Sequence, residues 1–181
     1  MTSRTLVLVK PDGVKRCLVG NIITRFENAG LKIVGMKMVW VNEAHAKNHY
    51  PLDEAWAKNV FEKTSSAYEK EGKELKFKNH IEFGTNIQKM LIKFLREGPV
   101  VAMCLEGIDA PEVVRKITGA TEPKAALPGT IRGDFAHMSY GRADATNRAI
   151  PNLIHASGNK QEAEKEIALW FEKDEVIKYR L

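Results

Sequence analysis

Apolar residues along the chain form short runs that alternate with longer segments of helical period. Four runs have the length and continuous apolar character of buried β-strands; they span residues 5–9, 31–41, 100–105 and 152–156. Between them, apolar residues recur three and four positions apart, the spacing that places side chains on one face of a helix. These segments span residues 14–29, 43–49, 83–95, 111–118 and 160–170. The pattern therefore predicts alternating strands and helices.

Turn residues between these segments agree with that division. Pro11 and Gly13 end the first strand, and Gly30 supplies the stop expected after the first helix. Residues 52–80 are the least regular part, because they are polar and lysine-rich with scattered aromatic residues, and we expect pieces of helix there. The order β-α-β-α-β-α-β-α with few, short strands favours an α/β (α+β) fold. The economical form is a ferredoxin-like βαββαβ sandwich with a four-stranded antiparallel sheet and additional helices.

Composition narrows the class of protein. The chain has 181 residues, of which 44% are hydrophobic and 28% charged, as expected for a single globular domain spanning residues 1–181. No apolar run approaches the roughly 20 residues that cross a bilayer, and no secretory leader is visible, so we expect no membrane association. The two cysteines, Cys17 and Cys104, lack the spacing of a metal site and suggest a reducing, cytoplasmic setting.

The net charge of +5 and the isoelectric point near 9.1 are compatible with anionic ligands, from nucleotides to nucleic acids. Two glycine-rich phosphate motifs, G-x-x-x-x-G-K-[ST] and G-x-G-x-x-G after a strand, are missing from the sequence. A bound nucleotide must therefore be held by side chains. The aromatic signature of RNA-recognition strands is also missing, which makes a nucleic-acid-binding module the less favoured alternative.

The segment Asn-Leu-Ile-His-Ala-Ser at residues 152–157 contains the most reactive candidate, His155, at the end of a predicted strand. A histidine can serve as a nucleophile, a general base or a metal ligand when a partner fixes its tautomer and orientation. Glu166 follows 11 residues later (166 − 155), close enough in a strand–loop–helix unit to hold one ring nitrogen. A nucleophile oriented by a carboxylate is the arrangement of covalent catalysis. The alternative is a structural histidine and a solvated glutamate.

Several further polar residues lie near tight turns or on predicted helices. Lys10 ends the first strand, and Arg132 follows Pro128 and Gly129 in a turn-rich segment. Function concentrates on such loops when a rigid scaffold holds them, and the planar guanidinium suits phosphate oxygens. Arg115 and Thr121 are candidates on and after the helix at residues 111–118. Taken alone, each of these residues is more simply interpreted as a surface charge or a turn residue than as part of a site.

Three collinear segments, at residues 10–14 (Lys-Pro-Asp-Gly-Val), 129–135 (Gly-Thr-Ile-Arg-Gly-Asp-Phe) and 152–157, closely resemble the nucleoside diphosphate kinases. Residues 119–123 and 164–171 match that family as well. The resemblance extends from about residue 4 to residue 179. It implies a ping-pong reaction in which a nucleoside triphosphate phosphorylates His155 and a nucleoside diphosphate then accepts the phosphoryl group.

The resemblance also implies roles for the surrounding residues and a requirement for Mg²⁺, which would arrive with the nucleotide phosphates. Glu166 orients the imidazole with support from Ser157, Lys10 contacts the ribose 3′-hydroxyl and the phosphates, and Asn152 binds the sugar. The phosphate contacts are assigned to Arg115, Thr121 and Arg132, with Tyr50 in the phosphate site near His155. The family forms hexamers or tetramers, so we expect a homo-oligomer, and the sequence does not choose between the two.

The sequence departs from the family pattern at several positions. An insertion is expected at about residues 52–85, and a second extension at about residues 139–150. The phenylalanine that stacks on the base in this family falls within the first, where Ile87 or Phe83 could replace it. Cys17 stands where the family usually has glycine, which we interpret as a harmless change in the first helix.

The polar stretch at residues 69–79 offers little apolar surface to offset the entropy of ordering, so we expect it to be mobile without nucleotide. We expect the insertion to modulate access of the base; an inert surface decoration is the alternative. A scaffold that has lost its chemistry is disfavoured, because His155, Lys10 and Arg132 are all present.

Overall fold

A four-stranded antiparallel sheet forms the centre of the molecule. The structure is a computed structural model that describes residues 2–70, 72 and 77–179. The strands are β1 (Thr2–Val9), β2 (Lys32–Val39), β3 (Val100–Ile108) and β4 (Ile154–Ala156), in the spatial order β2-β3-β1-β4. Every neighbouring pair is antiparallel. This arrangement confirms the ferredoxin-like fold that the sequence predicts.

Helices connect the strands and cover both faces of the sheet. They are α1 (Pro11–Lys15), α2 (Val19–Glu27), α3 (Glu43–His49), α4 (Glu54–Lys70), α5 (His80–Leu95), α6 (Ala110–Thr118), α7 (Ile131–Phe135), α8 (Tyr140–Ala145) and α9 (Lys160–Trp170), with 3₁₀ turns at Pro123–Ala125 and Lys173–Glu175. Among the described residues, no helix is long and apolar enough to cross a membrane.

The continuous apolar run in β1 is explained by a core on each side of the sheet. Val7 and Val9 point toward one core, which includes Ile22 of α2 and Val114 of α6. Leu6 and Leu8 point toward the other, where residues of α5 and α9 pack. Because β1 is central and covered on both faces, its positions cannot alternate between apolar and polar. The end of this strand is therefore a rigid place from which to present a side chain.

The first predicted helix, residues 14–29, is instead two helices, α1 and α2, separated by a turn. Cys17 lies in that turn at φ 57°, in the left-handed region that glycine enters without steric cost. Our interpretation of Cys17 as a harmless helical position is therefore wrong, because a side chain here carries backbone strain.

Helices α4 and α5 lie side by side and account for most of residues 52–95. Helix α4 extends to Lys70, so Glu69 and Lys70 belong to regular structure. From the sequence, we predict that residues 69–79 are mobile. Most of the remaining part of that segment, residue 71 and residues 73–76, lies outside the described residues. The extension at residues 139–150 contains α8.

Candidate active site

A tight turn at Asn152–Leu153 directly precedes β4. The Ile154 amide donates to the Asn152 carbonyl oxygen at 2.7 Å, and Leu153 adopts φ 68°. The predicted strand at residues 152–156 is accordingly shorter, beginning at Ile154. The β1–α1 junction holds this turn: the Lys10 amide donates to the Leu153 carbonyl oxygen at 2.8 Å, and the Leu153 amide donates to Asp12 Oδ2 at 2.9 Å. Strained backbone of this kind persists when its surroundings fix it.

Gly13 explains the small residue in the Lys-Pro-Asp-Gly segment. A Cβ atom at this position would lie 2.8 Å from Val9 Cγ1 and 3.0 Å from the Leu153 carbonyl oxygen. Any side chain would thus push the β1–α1 junction away from the turn that precedes His155. Asp12 and Gly13 consequently position the turn that presents His155, a structural role that the sequence analysis did not assign to them.

His155 and Glu166 lie together as the sequence predicts. His155 Nε2 donates to Glu166 Oε1 at 2.9 Å, and Ser157 Oγ donates to Glu166 Oε2 at 2.5 Å. With the proton on Nε2, the lone pair of the neutral ring lies on Nδ1, which is the atom left to react. The His155 side chain is 20% exposed, so an incoming ligand can reach it. The pair has the geometry of an oriented nucleophile.

His49 and Trp170 complete the support of this pair, and the sequence analysis identified neither residue. The His49 ring packs edge-on against the His155 ring with centroids 4.5 Å apart, and its Nδ1 accepts a hydrogen bond from Trp170 Nε1 at 3.2 Å. Burial lowers the pKa of His49 well below the usual value, and the nearby His155 and Lys10 lower it further. A neutral His49 does not compete with His155 for Glu166, whose Oε1 lies 3.9 Å from His49 Nδ1.

Three of these side chains could in principle bind a metal ion. Potential ligand atoms of His49, His155 and Glu166 all lie within 4.8 Å of one another. His49 Nδ1 is already bonded to Trp170, and both oxygens of Glu166 accept hydrogen bonds. A metal would therefore have to displace the contacts that orient His155, and the cluster is better suited to positioning the imidazole.

Lys10, Asn152 and Arg132 form a buried polar cluster beside the turn. Lys10 Nζ donates to Asn152 Oδ1 at 2.8 Å, and Asn152 Nδ2 donates to the Thr121 carbonyl oxygen at 2.9 Å. The Arg132 guanidinium donates to the carbonyl oxygens of Gly119, Asn152 and Ile154 at 2.9, 3.1 and 2.7 Å. These contacts tie the segment of residues 119–132 to the backbone on both sides of Leu153.

Positive charge accumulates in this cluster. Lys10 and Arg132 are only 6% and 7% exposed, and neither forms an ion pair with a carboxylate among the described residues. Burial, followed by the charge of Arg132, lowers the pKa of Lys10 to about 8. Burial likewise lowers the pKa of Arg132 to about 10. The charge of Asp12 acts in the opposite direction and raises both pKa values, but it forms no ion pair with either side chain in the described structure. Two buried cations with so little neutralisation favour an anionic ligand.

The other predicted site residues differ in how closely they join this cluster. Tyr50 follows α3, and burial together with the charge of Glu166 raises the pKa of its phenol. Arg115 is exposed on α6, near enough for its charge to lower the pKa of Arg132. The Thr121 side chain is exposed, and this residue joins the cluster through its carbonyl oxygen.

Phe83 is excluded as the residue that stacks on a base. Its ring is 5% exposed and packs edge-on against Phe61 and Phe77, with centroids 5.8 and 5.2 Å away. The suggestion that Phe83 could take this role is therefore wrong, because the ring belongs to the packing between α4 and α5. Ile87, one turn further along α5, is half-buried.

Comparison with known proteins gives a consistent result. The family model for nucleoside diphosphate kinase matches residues 3–72 and 69–176. The nucleoside diphosphate kinases of Pyrobaculum aerophilum and Borreliella burgdorferi are 43% and 40% identical over 178 and 180 residues, which cover 96% and 99% of this chain and 97% and 93% of theirs. The relative from Pyrococcus horikoshii is 44% identical over 178 residues, covering 98% of this chain and 90% of that relative.

Two solved structures are also similar. An NDP kinase from Pyrobaculum aerophilum superposes with a TM-score of 0.94 at 41% identity, covering 98% of this chain and 100% of that chain. A transition state mimic of the nucleoside-diphosphate kinase from Borrelia burgdorferi, with bound vanadate and ADP, gives a TM-score of 0.83 at 40% identity, covering 99% and 93%. This chain belongs to the nucleoside diphosphate kinase family.

Proposed function

We propose that this protein is a nucleoside diphosphate kinase that transfers the γ-phosphoryl group of a nucleoside triphosphate to a nucleoside diphosphate through His155. The observation that supports the proposal most strongly is the 2.9 Å hydrogen bond between His155 Nε2 and Glu166 Oε1. Glu166 accepts a hydrogen bond from the Nε2–H group, which leaves a lone pair on Nδ1, close to the buried cationic cluster of Lys10 and Arg132. A nucleophile next to a site for anions is what phosphoryl transfer requires.

The reaction proceeds in two balanced halves. The Nδ1 lone pair forms a bond to the γ-phosphorus while the bond from phosphorus to the β–γ bridging oxygen breaks, and the electron pair leaves with the nucleoside diphosphate. The phosphorylated ring becomes cationic, and its Nε2 proton stays hydrogen-bonded to Glu166, which stabilises that charge. A second nucleoside diphosphate then attacks the same phosphorus, which returns His155 to its starting state.

The cationic side chains stabilise the charge of the transferring group. Lys10 and Arg132 are already held in place by Asn152 and by backbone carbonyl oxygens, so little reorganisation accompanies the reaction. Arg115, Thr121 and Tyr50 supply further phosphate contacts, and Asn152 also reaches the sugar. Because Phe83 is buried, Ile87 of α5 is the remaining candidate for contact with the base.

Mg²⁺ enters with the nucleotide as part of the substrate. The two buried side chains beside the phosphate position, Lys10 and Arg132, are cationic, and Glu166 is already engaged by His155 and Ser157. The donor set therefore fits an ion carried by phosphate oxygens better than a carboxylate cage. We further propose that the protein works as a homo-oligomer, hexameric or tetrameric, in the cytoplasm.

The proposal is tested by mixing the protein with γ-labelled ATP without an acceptor. We expect acid-labile label on the wild type, none on His155→Ala, and full labelling of the matched control His137→Ala, which removes an exposed histidine outside the site. Label that survives His155→Ala and moves to another histidine would refute the assignment. A nucleic-acid-binding module would take up no label at all.

A further inference from the structure

The two segments that depart from the family pattern contact each other. Tyr68 lies on α4, in the first segment, and Asp144 lies on α8, in the second. The Tyr68 hydroxyl donates to Asp144 Oδ2 at 2.7 Å, across 76 residues of sequence. A phenol donating to a carboxylate is a charge-assisted hydrogen bond, stronger than a bond between neutral groups.

A second contact joins the same parts of the molecule. Arg148 Nη2 donates to both carboxylate oxygens of Glu97, at 3.0 and 2.8 Å, and Glu97 lies just beyond the end of α5. The Arg148 amide also donates to the Ala143 carbonyl oxygen at 3.1 Å, which fastens this residue to α8. The segment of residues 139–150 is thus attached to α4 and to the turn that directly follows α5.

The two ends of this segment are fixed at the active site. It follows Arg132 and precedes Asn152, two members of the buried polar cluster. Near its beginning, the Tyr140 amide donates to Glu122 Oε1 at 2.8 Å, close to Thr121. The segment consequently starts and finishes beside the cationic cluster, and its middle part reaches across to α4 and α5.

We propose that Tyr68–Asp144 and Arg148–Glu97 form a clasp that joins the two walls of the nucleoside site and determines how long a nucleotide is retained. The inference rests on the proposed function, in which the phosphates lie at Lys10 and Arg132 and the base lies toward α5. When the clasp is formed, the wall made by residues 139–150 is already ordered before a nucleotide binds. When the clasp is open, binding has to order that wall, and the apparent association constant is the intrinsic one multiplied by the fraction of molecules in which the clasp is closed.

The clasp acts on retention and leaves the phosphoryl chemistry unchanged. None of its side chains contacts His155, Glu166, Lys10 or Arg132 in the hydrogen bonds of the described residues. Loosening the clasp is therefore expected to accelerate nucleotide dissociation while the first-order rate of His155 phosphorylation at saturating ATP stays the same. An inert surface contact would change neither quantity.

The experiment measures dissociation of a fluorescent ADP analogue by stopped flow for Tyr68→Phe, Asp144→Ala and the double variant. We expect each single variant to dissociate about 3- to 10-fold faster than the wild type, and the double variant to be no faster than the single ones, because both remove the same bond. Arg148→Gln is expected to behave similarly. Tyr179→Phe is the matched control, because its hydroxyl donates to the Ile33 carbonyl oxygen on β2, outside this segment.

Wild-type dissociation rates in all four clasp variants, or strictly multiplicative effects in the double variant, would overturn the proposal. The fluorescent ADP measurement needs no phosphoryl transfer, so its outcome is separate from that of the proposed function. If the wild-type protein took up no label from γ-labelled ATP, and the Tyr68→Phe variant released ADP faster than the wild type, the kinase reaction would be refuted and the clasp supported. A folded Tyr68→Phe variant with normal ADP release and reduced His155 phosphorylation would show that the contact shapes the catalytic site instead.

Discussion

At the scale of one residue, Lys10 shows how a charge that we propose to act in catalysis lowers the stability of the fold. Its ammonium group is buried beside Arg132, and its pKa falls from 10.5 to about 8. Between about pH 8 and 10.5 the unfolded chain holds this proton and the folded chain does not, so stability rises with pH across that interval. Below about pH 8 the full destabilisation by the buried charge is present.

Lys10→Met is therefore expected to stabilise the fold while it impairs the reaction. At pH 7 we expect the free energy of unfolding to rise on the order of 1–2 kcal/mol, less than the pKa shift alone implies, because Asn152 Oδ1 loses its donor. Loss of a preorganised charged donor should lower kcat on the order of 10²–10³-fold. Urea unfolding at pH 7 and pH 9.5 and single-turnover labelling measure both effects. The exposed Lys15→Met is the control, and a Lys10→Met protein with wild-type kcat would remove Lys10 from the mechanism.

The site residues that the sequence revealed are those that lie close to one another in recognisable segments. His155 and Glu166 are 11 residues apart, and their 2.9 Å contact is what that spacing suggests. His49 and Trp170 are 121 residues apart, so no local pattern connects them, although His49 directly precedes the predicted Tyr50. The left-handed backbone of Leu153 could not be predicted from the sequence, because residues other than glycine rarely adopt this conformation.

At the scale of elements, the contact between α4 and α5 depends on a close approach at Gly84. A Cβ atom at Gly84 would lie 2.7 Å from Ala57 Cβ and 3.2 Å from Leu52 Cδ1. Gly84→Val should therefore force the helices apart and lower the free energy of unfolding by about 1–3 kcal/mol. Thermal unfolding measures the change. Gly20→Ala is the control: nothing lies within 4 Å of a Cβ there, so this change in α2 should stabilise by about 0.5 kcal/mol. Equal effects of both changes would show that the helices are not tightly packed.

Helices were predictable from the sequence where apolar residues recur with a clear helical period. They were difficult to predict where small residues form the contacts between helices. Helices α6 and α9 lie within a residue of their predicted positions, and the apolar face of α6 in particular is well marked. Helix α4 was seen only as pieces, since its contact with α5 uses Ala57 and Gly84, which carry little apolar signal. The break between α1 and α2 was missed because Cys17 does not resemble a turn residue.

At the scale of the whole molecule, the C-terminal segment covers the first half of the edge strand β2, while the second half exposes apolar side chains. The Ile177 amide donates to the Val34 carbonyl oxygen at 2.7 Å, and the Tyr179 hydroxyl donates to the Ile33 carbonyl oxygen at 2.8 Å. Strand β2 is an edge strand that pairs with β3 on one side. Met36, Met38 and Trp40 occupy alternate positions along it and are 54%, 60% and 68% exposed. Exposed apolar side chains on the second half of an edge strand favour contact with another strand, and a second copy of the chain presents the same surface.

Light scattering after gel filtration tests whether this edge supports the proposed homo-oligomer. We expect the wild type to have a mass of at least two chains. Met38→Glu should shift the distribution toward one chain of about 20.3 kDa, because a carboxylate placed in an apolar contact cannot be desolvated cheaply. Ile81→Glu, which adds the same charge at an exposed apolar residue on α5, should leave the mass unchanged. A Met38→Glu protein of unchanged mass would place the contact between copies elsewhere on the molecule, and a monomeric wild type would refute the homo-oligomer itself.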